Sequence, residues 1–151
     1  MPGRDGCNQA TWSQVRLHVG LPGAFTPVCS ESHLPGFEAL HDETTALGVD
    51  EVICVSVNDA FVMSQWGKAF GIEKVRLLPN GNGDLAKTPD KLVPRSDQGM
   101  GHRSWRYSML IVDGEIEQTF AEPDRRNNPP GVPVTVSCAQ TMRNYLKQRA
   151  T

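Results

Sequence analysis

The feature that most constrains the fold is a run of apolar and β-branched residues, Val-Ile-Cys-Val-Ser-Val, at positions 52–57. A nearly continuous run of this kind is typical of a strand that is covered on both faces, as in the interior of a parallel sheet. Asn58 and Asp59 follow it as candidates for a helix N-cap. An apolar stripe at helical spacing then ends at Gly71 and consists of Phe61, Val62, Trp66 and Phe70. We therefore expect a buried strand that leads directly into a helix.

The residues on either side of this unit extend the same alternation of strands and helices. Apolar and polar residues alternate over 15–21, which predicts a strand that ends at a Pro-Gly turn. Residues 30–48 predict a helix that is kinked at Pro35 and has Cys29 at its start. A further short strand is expected at 75–78, after which residues 84–104 have a mixed character that indicates a loop.

The C-terminal part of the sequence predicts antiparallel strands, whereas the N-terminal part predicts parallel ones. Residues 107–120 predict a β-hairpin, because the Asp113-Gly114 pair suits the positive φ angles of a two-residue turn. A Pro- and Asn-rich loop follows at 125–133, and Ser137 and Gln140 form a capping box for a last helix. Met142, Tyr145 and Leu146 should lie on one side of that helix. A βαβ unit, a hairpin and a terminal helix together predict a thioredoxin-like α/β sandwich, with a mixed sheet flanked by helices.

A chain of 151 residues can form one hydrophobic core, because a fold of this size buries roughly 70% of the surface that its unfolded chain exposes. We expect a single domain over residues 1–151, with an irregular segment at 1–14. The formal charge of −2 comes from interspersed acidic and basic residues, so nucleic acid and anionic membranes are poor candidates for partners. No stretch approaches the ~18 apolar residues of a membrane span or forms a signal-peptide core. We therefore expect a cytoplasmic protein.

The four cysteines have irregular spacings in a sequence without a secretory signal, which predicts free thiols. The sequence has no CxxC, no HExxH and no paired Cys and His spacing, so we expect neither a metal nor a cofactor. Cys29 has the most reactive setting, because it follows Pro27 and opens a predicted helix. Unpaired backbone N–H groups and the helix dipole favour an anion there, and only the thiolate is a strong nucleophile.

A long motif surrounds Cys29. The segments Pro-Gly-Ala-Phe-Thr-Pro-Val-Cys-Ser at 22–30 and His-Leu-Pro-Gly-Phe at 33–37 resemble the active-site region of peroxiredoxins of the peroxiredoxin-5 type. The resemblance continues through 54–63, 75–78, 103–110 and 137–146 and covers nearly everything from about Val15 onward. It implies a thiol peroxidase that reduces hydrogen peroxide and organic hydroperoxides.

The resemblance also implies roles for individual residues. Cys29 would be the peroxidatic nucleophile and would become a sulfenic acid, the first and reversible step of cysteine oxidation. Thr26 would hydrogen-bond both the thiolate and the peroxide, and Pro22 would shield the sulfur from water. Arg106 matches the arginine that lies over the sulfur, where its guanidinium would stabilise the thiolate and bind the substrate oxygens. Arg103 is the competing candidate, and we favour Arg106 because the predicted hairpin then supports it.

A sulfenic acid must be reduced by a second cysteine or by an external thiol. Cys54 follows Cys29 by 25 residues, as in plant type II relatives, but it lies in the most apolar strand, where a free cysteine is usually inert. Cys138 should be better exposed in the first turn of the last helix, and Cys7 lies in the N-terminal segment. The segment at 104–110 resembles bacterial relatives that use glutathione and glutaredoxin. We therefore expect glutathione with glutaredoxin, or thioredoxin, as reductant and no obligatory internal disulfide.

Two further expectations come from the resemblance. The family commonly dimerises through a face near the active site, which implies a homodimer. Its members also carry an N-terminal hairpin and strand, which the opening residues 1–14 do not resemble, so the N-terminus is atypically short.

Two other functions remain open from the sequence. Cys29 and His33 are four residues apart and can share one face of a helix, which permits a Cys–His pair for acyl transfer. No motif supplies a residue to orient that histidine, and we take His33 as structural. The chain could also be a redox sensor or an interaction protein that keeps the fold without turnover.

Overall fold

The computed structural model describes residues 14–87 and 90–151. Its strands are β1 (Val15–Leu21), β2 (Glu51–Ser56), β3 (Arg76–Pro79), β4 (Leu92–Pro94), β5 (His102–Ser104), β6 (Tyr107–Val112) and β7 (Glu115–Ala121). Its α-helices are α1 (Leu34–Ala39), α2 (His41–Ala46), α3 (Ala60–Ala69), α4 (Asp84–Lys87) and α5 (Ala139–Ala150). A π-helical turn, Cys29–His33, precedes α1, and a 3₁₀ turn, Ser96–Gln98, follows β4.

Five of these strands form one mixed sheet in the order β3-β2-β1-β6-β7. β1, β2 and β3 run parallel, whereas β6 is antiparallel to both β1 and β7. The hairpin turn has φ of 51° at Asp113 and 85° at Gly114, as a two-residue turn of this kind requires. Helices flank the sheet, and α1 and α2 both pack against α5. The predicted thioredoxin-like sandwich with a mixed sheet is confirmed.

The core follows the sequence pattern of the two central strands. In β2 every residue after Glu51 is buried, as expected for a strand with neighbours on both faces. In β1 the alternate residues Val15, Leu17, Val19 and Leu21 are all buried. Cys54 lies at the centre of this core, paired with Val19 of β1 and Leu77 of β3.

The predicted helix at 30–48 is present but is broken in two places. The turn Cys29–His33 is π-helical and leads into α1 just before Pro35, which has no N–H to continue the usual ladder of hydrogen bonds. A second break, which the sequence analysis missed, falls at Leu40, where φ is −96° and ψ is 11°. The kink at Pro35 is therefore only part of the irregularity of this helix.

The predicted apolar stripe on the next helix is partly wrong. Asp59 caps α3 as expected, because its Oδ1 accepts a hydrogen bond from Val62 N at 2.8 Å. The buried face, however, consists of Met63, Trp66 and Gly67. Phe61 is 85% exposed, since it lies two residues before Met63 and therefore points to a different side of the helix.

The predicted capping box at the last helix is wrong. α5 begins at Ala139 with Cys138 at its N-cap and has no side-chain capping bond. The Ser137 hydroxyl instead donates to Glu122 Oε2 at 2.7 Å. The carboxylate of Glu122, directly after β7, therefore binds the hydroxyl that the local sequence pattern assigned to the helix end. Met142 and Leu146 are buried on one face of α5, as predicted.

Residues 84–104, interpreted as a loop, contain α4 and the small β4-β5 hairpin as well as irregular turns. The expectation of an irregular segment at 1–14 lies outside the described residues except for Gln14, and so does Cys7. Within the described ranges, no helix is both long and apolar enough to cross a membrane.

We expect Gly20→Ala to destabilise the protein, because Gly20 pairs with Tyr107 across β1 and β6 and an added Cβ would overlap the Tyr107 ring. Overpacking of this kind costs about 1–3 kcal/mol. The matched control is Gly36→Ala in α1, whose new Cβ would meet Ala139 Cβ at an ordinary 3.6 Å and should add about 0.5–1 kcal/mol of helix stability. Urea unfolding of both variants tests this, and equal effects would contradict the packing argument.

Candidate active site

The loop after β1 is held by hydrogen bonds that its own residues and Asn58 supply. Thr26 Oγ1 donates to the Gly23 carbonyl at 2.6 Å, and Ala24 N donates to Asn58 Oδ1 at 2.9 Å. Phe25 takes a left-handed conformation with φ of 64°, which lets the chain turn sharply between these two bonds. The loop that precedes the predicted nucleophile is therefore fixed at both ends.

Cys29 lies in the first turn of the helix that follows this loop. Ser30 N donates to the Thr26 carbonyl at 3.0 Å, so Thr26 occupies the N-cap position. Cys29 is completely buried and is a free thiol. Ser30 Oγ accepts a hydrogen bond from Trp66 Nε1 at 2.8 Å, which fixes the residue beside Cys29 against α3.

Arg106, directly before β6, is only 3% exposed. Its Nε donates to the Val132 carbonyl at 2.9 Å, and its Nη1 lies 3.2 Å from His33 Nδ1. Two separate contacts, through Nε and Nη1, therefore hold the planar guanidinium in one orientation.

His33 is an acceptor for Arg106 and cannot act as a base for Cys29. Its Nε2 lies 2.9 Å from the Ser137 carbonyl, which can only accept, so the proton is on Nε2 and Nδ1 is left to accept from Arg106. Burial and the neighbouring Arg106 charge lower the pKa of His33 to about 3. Both ring nitrogens are thus occupied, which excludes the Cys–His pair for acyl transfer in this arrangement and agrees with a structural role for His33.

Glu122, just after β7, orders the loop that supports Arg106 and His33. Its carboxylate accepts hydrogen bonds from the backbone N–H groups of Thr135, Val136 and Ser137 and from the hydroxyls of Thr135 and Ser137. Burial alone would raise the pKa of Glu122, but these hydrogen bonds lower it to about 2. The residue remains ionised at neutral pH, and Ser137, which it binds, presents its carbonyl to His33.

Three of the predicted site residues, Pro22, Thr26 and Arg106, line one pocket of about 280 Å³. Pro27 and Val28 line it too, so the helix that bears Cys29 starts at this pocket. Because Thr26 donates its proton to Gly23, its hydroxyl oxygen is available as an acceptor. The pocket therefore combines a fixed cation with a hydroxyl acceptor.

Arg103, the competing arginine, has a different set of contacts. Its Nε donates to the Met100 carbonyl at 2.9 Å and its Nη1 to the Pro22 carbonyl at 3.3 Å. Burial and the nearby Arg95 charge lower the pKa of Arg103, whereas Cys29 acts in the opposite direction. Arg103 thus lies within electrostatic range of Cys29 while it braces the loop at Pro22.

The two cysteines predicted as possible resolving partners are in different environments. Cys54 is completely buried in β2, and burial together with the nearby Cys29 raises its pKa well above the ordinary range. Cys138 is half-buried, and its Sγ lies 3.2 Å from Thr141 Oγ1. All three described cysteines are free thiols. Residues 14–87 and 90–151 contain no group of three or more His, Cys, Asp or Glu side chains placed to hold a metal ion.

The protein is similar in sequence and in structure to known redoxins and peroxiredoxins. The sequence matches the family model described as Redoxin over residues 8–137. It is 57% identical over 127 residues to peroxiredoxin sll1621 of Synechocystis sp., which covers 84% of this chain and 67% of the relative. It is 48% identical over 126 residues to the hybrid peroxiredoxin hyPrx5 of Haemophilus influenzae, covering 83% of this chain and 51% of that one. The crystal structure of reduced Prx3 from Vibrio vulnificus in complex with hydrogen peroxide superimposes with a TM-score of 0.81 at 36% identity, over 90% of this chain and 80% of the other.

A thioredoxin-like fold with a buried cysteine at a helix start, together with the match over most of the chain, makes this protein a member of the redoxin family. Within that family it belongs to the peroxiredoxins, close to the peroxiredoxin-5 type, and is a thiol peroxidase. The resemblance noted in the sequence is thereby confirmed.

Sequence reasoning missed Glu122 and Arg95 as parts of this region. Glu122 lies 15 residues before Ser137 in the chain, and no local motif connects the two. Arg95 lines the same pocket as Arg106, but it comes from a segment that the sequence analysis had interpreted only as a mixed loop. The signal in the sequence was Gly99 and Gly101, which suggest that the segment around Arg95 is a loop packed near another part of the protein.

We expect His33→Gln to flatten the pH dependence of stability between about pH 6.5 and 4.5. Unfolded histidine has a pKa of about 6.5, and the folded pKa of His33 is lowered to about 3. Its stabilising contribution is therefore complete above pH ~6.5 and is lost as the pH falls, by up to roughly 1.4 kcal/mol per pH unit. Glutamine keeps a donor and an acceptor without titrating.

The measurement is urea unfolding at several pH values. His102→Gln, at an exposed position, serves as the control and should keep the wild-type slope. The pKa of Glu122 is lowered from its ordinary value near 4.5 to about 2, so its contribution to stability is lost mainly below about pH 4.5 and is lost equally in the parent protein and the variant. A His33→Gln protein with the wild-type slope would contradict the neutral buried ring.

Proposed function

We propose that Cys29 is the peroxidatic cysteine of this thiol peroxidase. Its thiolate attacks one oxygen of a hydroperoxide, the O–O bond breaks, and the products are a Cys29 sulfenic acid and an alcohol or water. The leaving oxygen takes a proton, so that no charge is left on the product. The observation that carries this proposal is that Pro22, Thr26 and Arg106 line one pocket at which the Cys29 helix begins.

The other three residues have complementary roles in the proposal. Arg106 stabilises the thiolate and the negative charge that develops on the leaving oxygen, as charge-assisted hydrogen bonds do. The Thr26 oxygen accepts the O–H of the incoming hydroperoxide, since its own proton is donated to Gly23. Pro22 restricts water at the sulfur. Arg103 has a positioning role, because it binds the Pro22 carbonyl, and Arg106 is fixed by His33 and the Val132 carbonyl.

We further propose that an external thiol, and not an internal disulfide, reduces the sulfenic acid. Glutathione would condense with it to give a mixed disulfide and water, and a second thiol, on glutathione or glutaredoxin, would then release the Cys29 thiolate. Cys54 is disfavoured as a resolving residue because its raised pKa and complete burial keep it protonated, and thiol exchange requires a thiolate. Reduction by an external thiol would suit a cytoplasmic protein, because thiols stay reduced in the cytoplasm. In this proposal residues 1–151 form a single domain that carries the whole reaction.

We also propose that the protein is a homodimer through an apolar surface beside the pocket. This surface consists of Phe25, Val28 and Phe70, which are 51%, 38% and 42% exposed. The rings of Phe25 and Phe70 meet edge to face with centroids 6.2 Å apart. Thr26, one residue from Phe25, lines the active-site pocket, so a dimer formed here would border both active sites. Exposed aromatic clusters of this kind are typical of protein interfaces.

The proposed chemistry is tested with two complementary variants, Cys29→Ser and a Cys7, Cys54 and Cys138 triple serine variant. We expect the triple variant to keep most of its peroxide turnover with glutathione and glutaredoxin, and Cys29→Ser to lose at least ~10³-fold, because a hydroxyl cannot replace a thiolate. Peroxide consumption and intact mass after one equivalent of peroxide plus glutathione are measured. A mixed disulfide at Cys29 is the expected oxidised species.

The same measurements identify the alternatives. Turnover by Cys29→Ser would disprove the central assignment. A triple variant without activity, or a Cys29–Cys54 or Cys29–Cys138 disulfide as the main oxidised form of the parent protein, would show that resolution is internal. A single stoichiometric oxidation without turnover would instead indicate a redox sensor or an interaction protein.

The dimer surface predicts a shift toward monomer for Phe70→Glu, because a carboxylate would have to be desolvated at the interface. Phe61→Glu is the matched control. Phe61 is 85% exposed and precedes Phe70 by nine positions, which is about half a turn away in direction on a helix. Sedimentation velocity over a range of concentrations tests this, and an equal response of the two variants would remove the surface from consideration.

A further inference from the structure

A second arginine, Arg95, lines the active-site pocket and is only 7% exposed. Its Nη2 donates to Gln98 Oε1 at 2.7 Å and makes a longer contact of 3.5 Å with the Pro129 carbonyl. Its Nε, which is also buried, has no hydrogen-bond partner among the described residues. A buried charged donor without a partner is costly, so an acceptor oxygen brought to this side of the pocket by a ligand would be stabilised there.

The charges around the pocket are also unbalanced. Within residues 14–87 and 90–151, none of Arg95, Arg103 and Arg106 forms an ion pair with a carboxylate. Arg95 lies close enough to Arg103 to help lower its pKa. Like charges held together with little exposure repel one another, and an anion in the pocket would relieve that repulsion.

The substrate peroxide group does not account for this second cation. Hydrogen peroxide is neutral and small, and Arg106 together with Thr26 already offers a donor and an acceptor for its two oxygens. The pocket of about 280 Å³ extends from Arg106 to Arg95 and Gln98. Gln98 gives its oxygen to Arg95, so its amide NH₂ is the group that it can offer to a ligand. Arg95 and Gln98 thus present donors to a part of the ligand away from the reacting atoms.

We propose that Arg95 and Gln98 form a carboxylate-binding subsite for the molecule whose peroxide or thiol group reacts at Cys29. A guanidinium N–H beside an amide NH₂ suits a carboxylate better than a neutral group, because each ligand oxygen can accept from one of the two donors and the opposite charges attract. The inference rests on the proposed function of Cys29 and adds the class of molecule that the pocket selects. Two sources share this chemistry, a fatty-acid hydroperoxide and the carboxylates of glutathione.

The experiment compares acids with their esters in two arms. In the first arm, linoleic acid hydroperoxide and its methyl ester oxidise the reduced protein. In the second arm, glutathione and its dimethyl ester reduce the sulfenic acid formed by hydrogen peroxide. Second-order rate constants are measured by stopped flow for the parent protein, Arg95→Gln and Arg95→Lys, and the readout is the ratio of acid to ester.

In the arm that uses the subsite, we expect Arg95→Gln to lower the acid-to-ester ratio about tenfold, as for the loss of one charge-assisted hydrogen bond. Arg95→Lys should recover part of that loss, because it restores the charge without the fork. Gln98→Ala, at an exposed position, should lower the same ratio two- to threefold and serves as the second variant if Arg95→Gln does not fold. A drop in the peroxide arm identifies a fatty-acid hydroperoxide, and a drop in the thiol arm identifies glutathione.

Other outcomes overturn the inference. Equal slowing of acid and ester in Arg95→Gln would mean that the arginine only supports the loop at Pro129. Unchanged ratios in both arms, in a protein that consumes hydrogen peroxide normally, would remove the subsite and leave the proposed function intact. A parent protein that consumes no peroxide at all would contradict both the carboxylate-binding subsite and the proposed function of Cys29.

Discussion

The interaction on which the site depends is the hydrogen bond between Arg106 and His33. A buried guanidinium is useful for peroxide chemistry only when its direction is fixed, because it must stabilise charge at one point in space. His33 achieves this as a neutral ring whose one N–H is committed to Ser137 and whose free nitrogen faces Arg106. A protonated His33 would instead repel the arginine. Burial, and after it the charge of Arg106, lowers the pKa of His33, and the neutral ring that results fixes the direction of Arg106.

The support for that contact comes from a segment without regular secondary structure. Val132 and Ser137 bind Arg106 and His33 through their carbonyls, and neither belongs to a helix or a strand. Two sets of contacts hold this irregular segment in place. The Glu122 carboxylate accepts hydrogen bonds from the backbone N–H groups of 135–137, and a small apolar cluster around Trp105 packs against Val132. The geometry of the proposed active site thus depends on Glu122, directly after β7, as much as on the motif around Cys29.

The sequence predicted those parts of the protein that depend on local pattern. The predictions of β2 and of the Asp113-Gly114 turn were correct, because a continuous β-branched run determines a buried strand and the residue types of a turn determine its φ angles. The role of Ser137 was predicted wrongly, since a capping box is a local rule and Glu122, which binds the Ser137 hydroxyl, is 15 residues away in the sequence. Arg106 and Thr26 could be named only through the resemblance, and their shared pocket emerged only in three dimensions. The same is true of Arg95, whose partners lie 3 and 34 residues along the chain.

Phe25 has a consequence for attempts to make the protein more robust. It is one of the few residues other than glycine with a left-handed backbone, a conformation that costs most amino acids roughly 1–2 kcal/mol. Its ring is half exposed, so little burial in the isolated chain offsets that cost. Selection for thermostability alone would favour glycine or asparagine at this corner. If the proposed dimer forms through this surface, the aromatic ring at this corner exchanges some heat resistance of the monomer for contact area in the dimer.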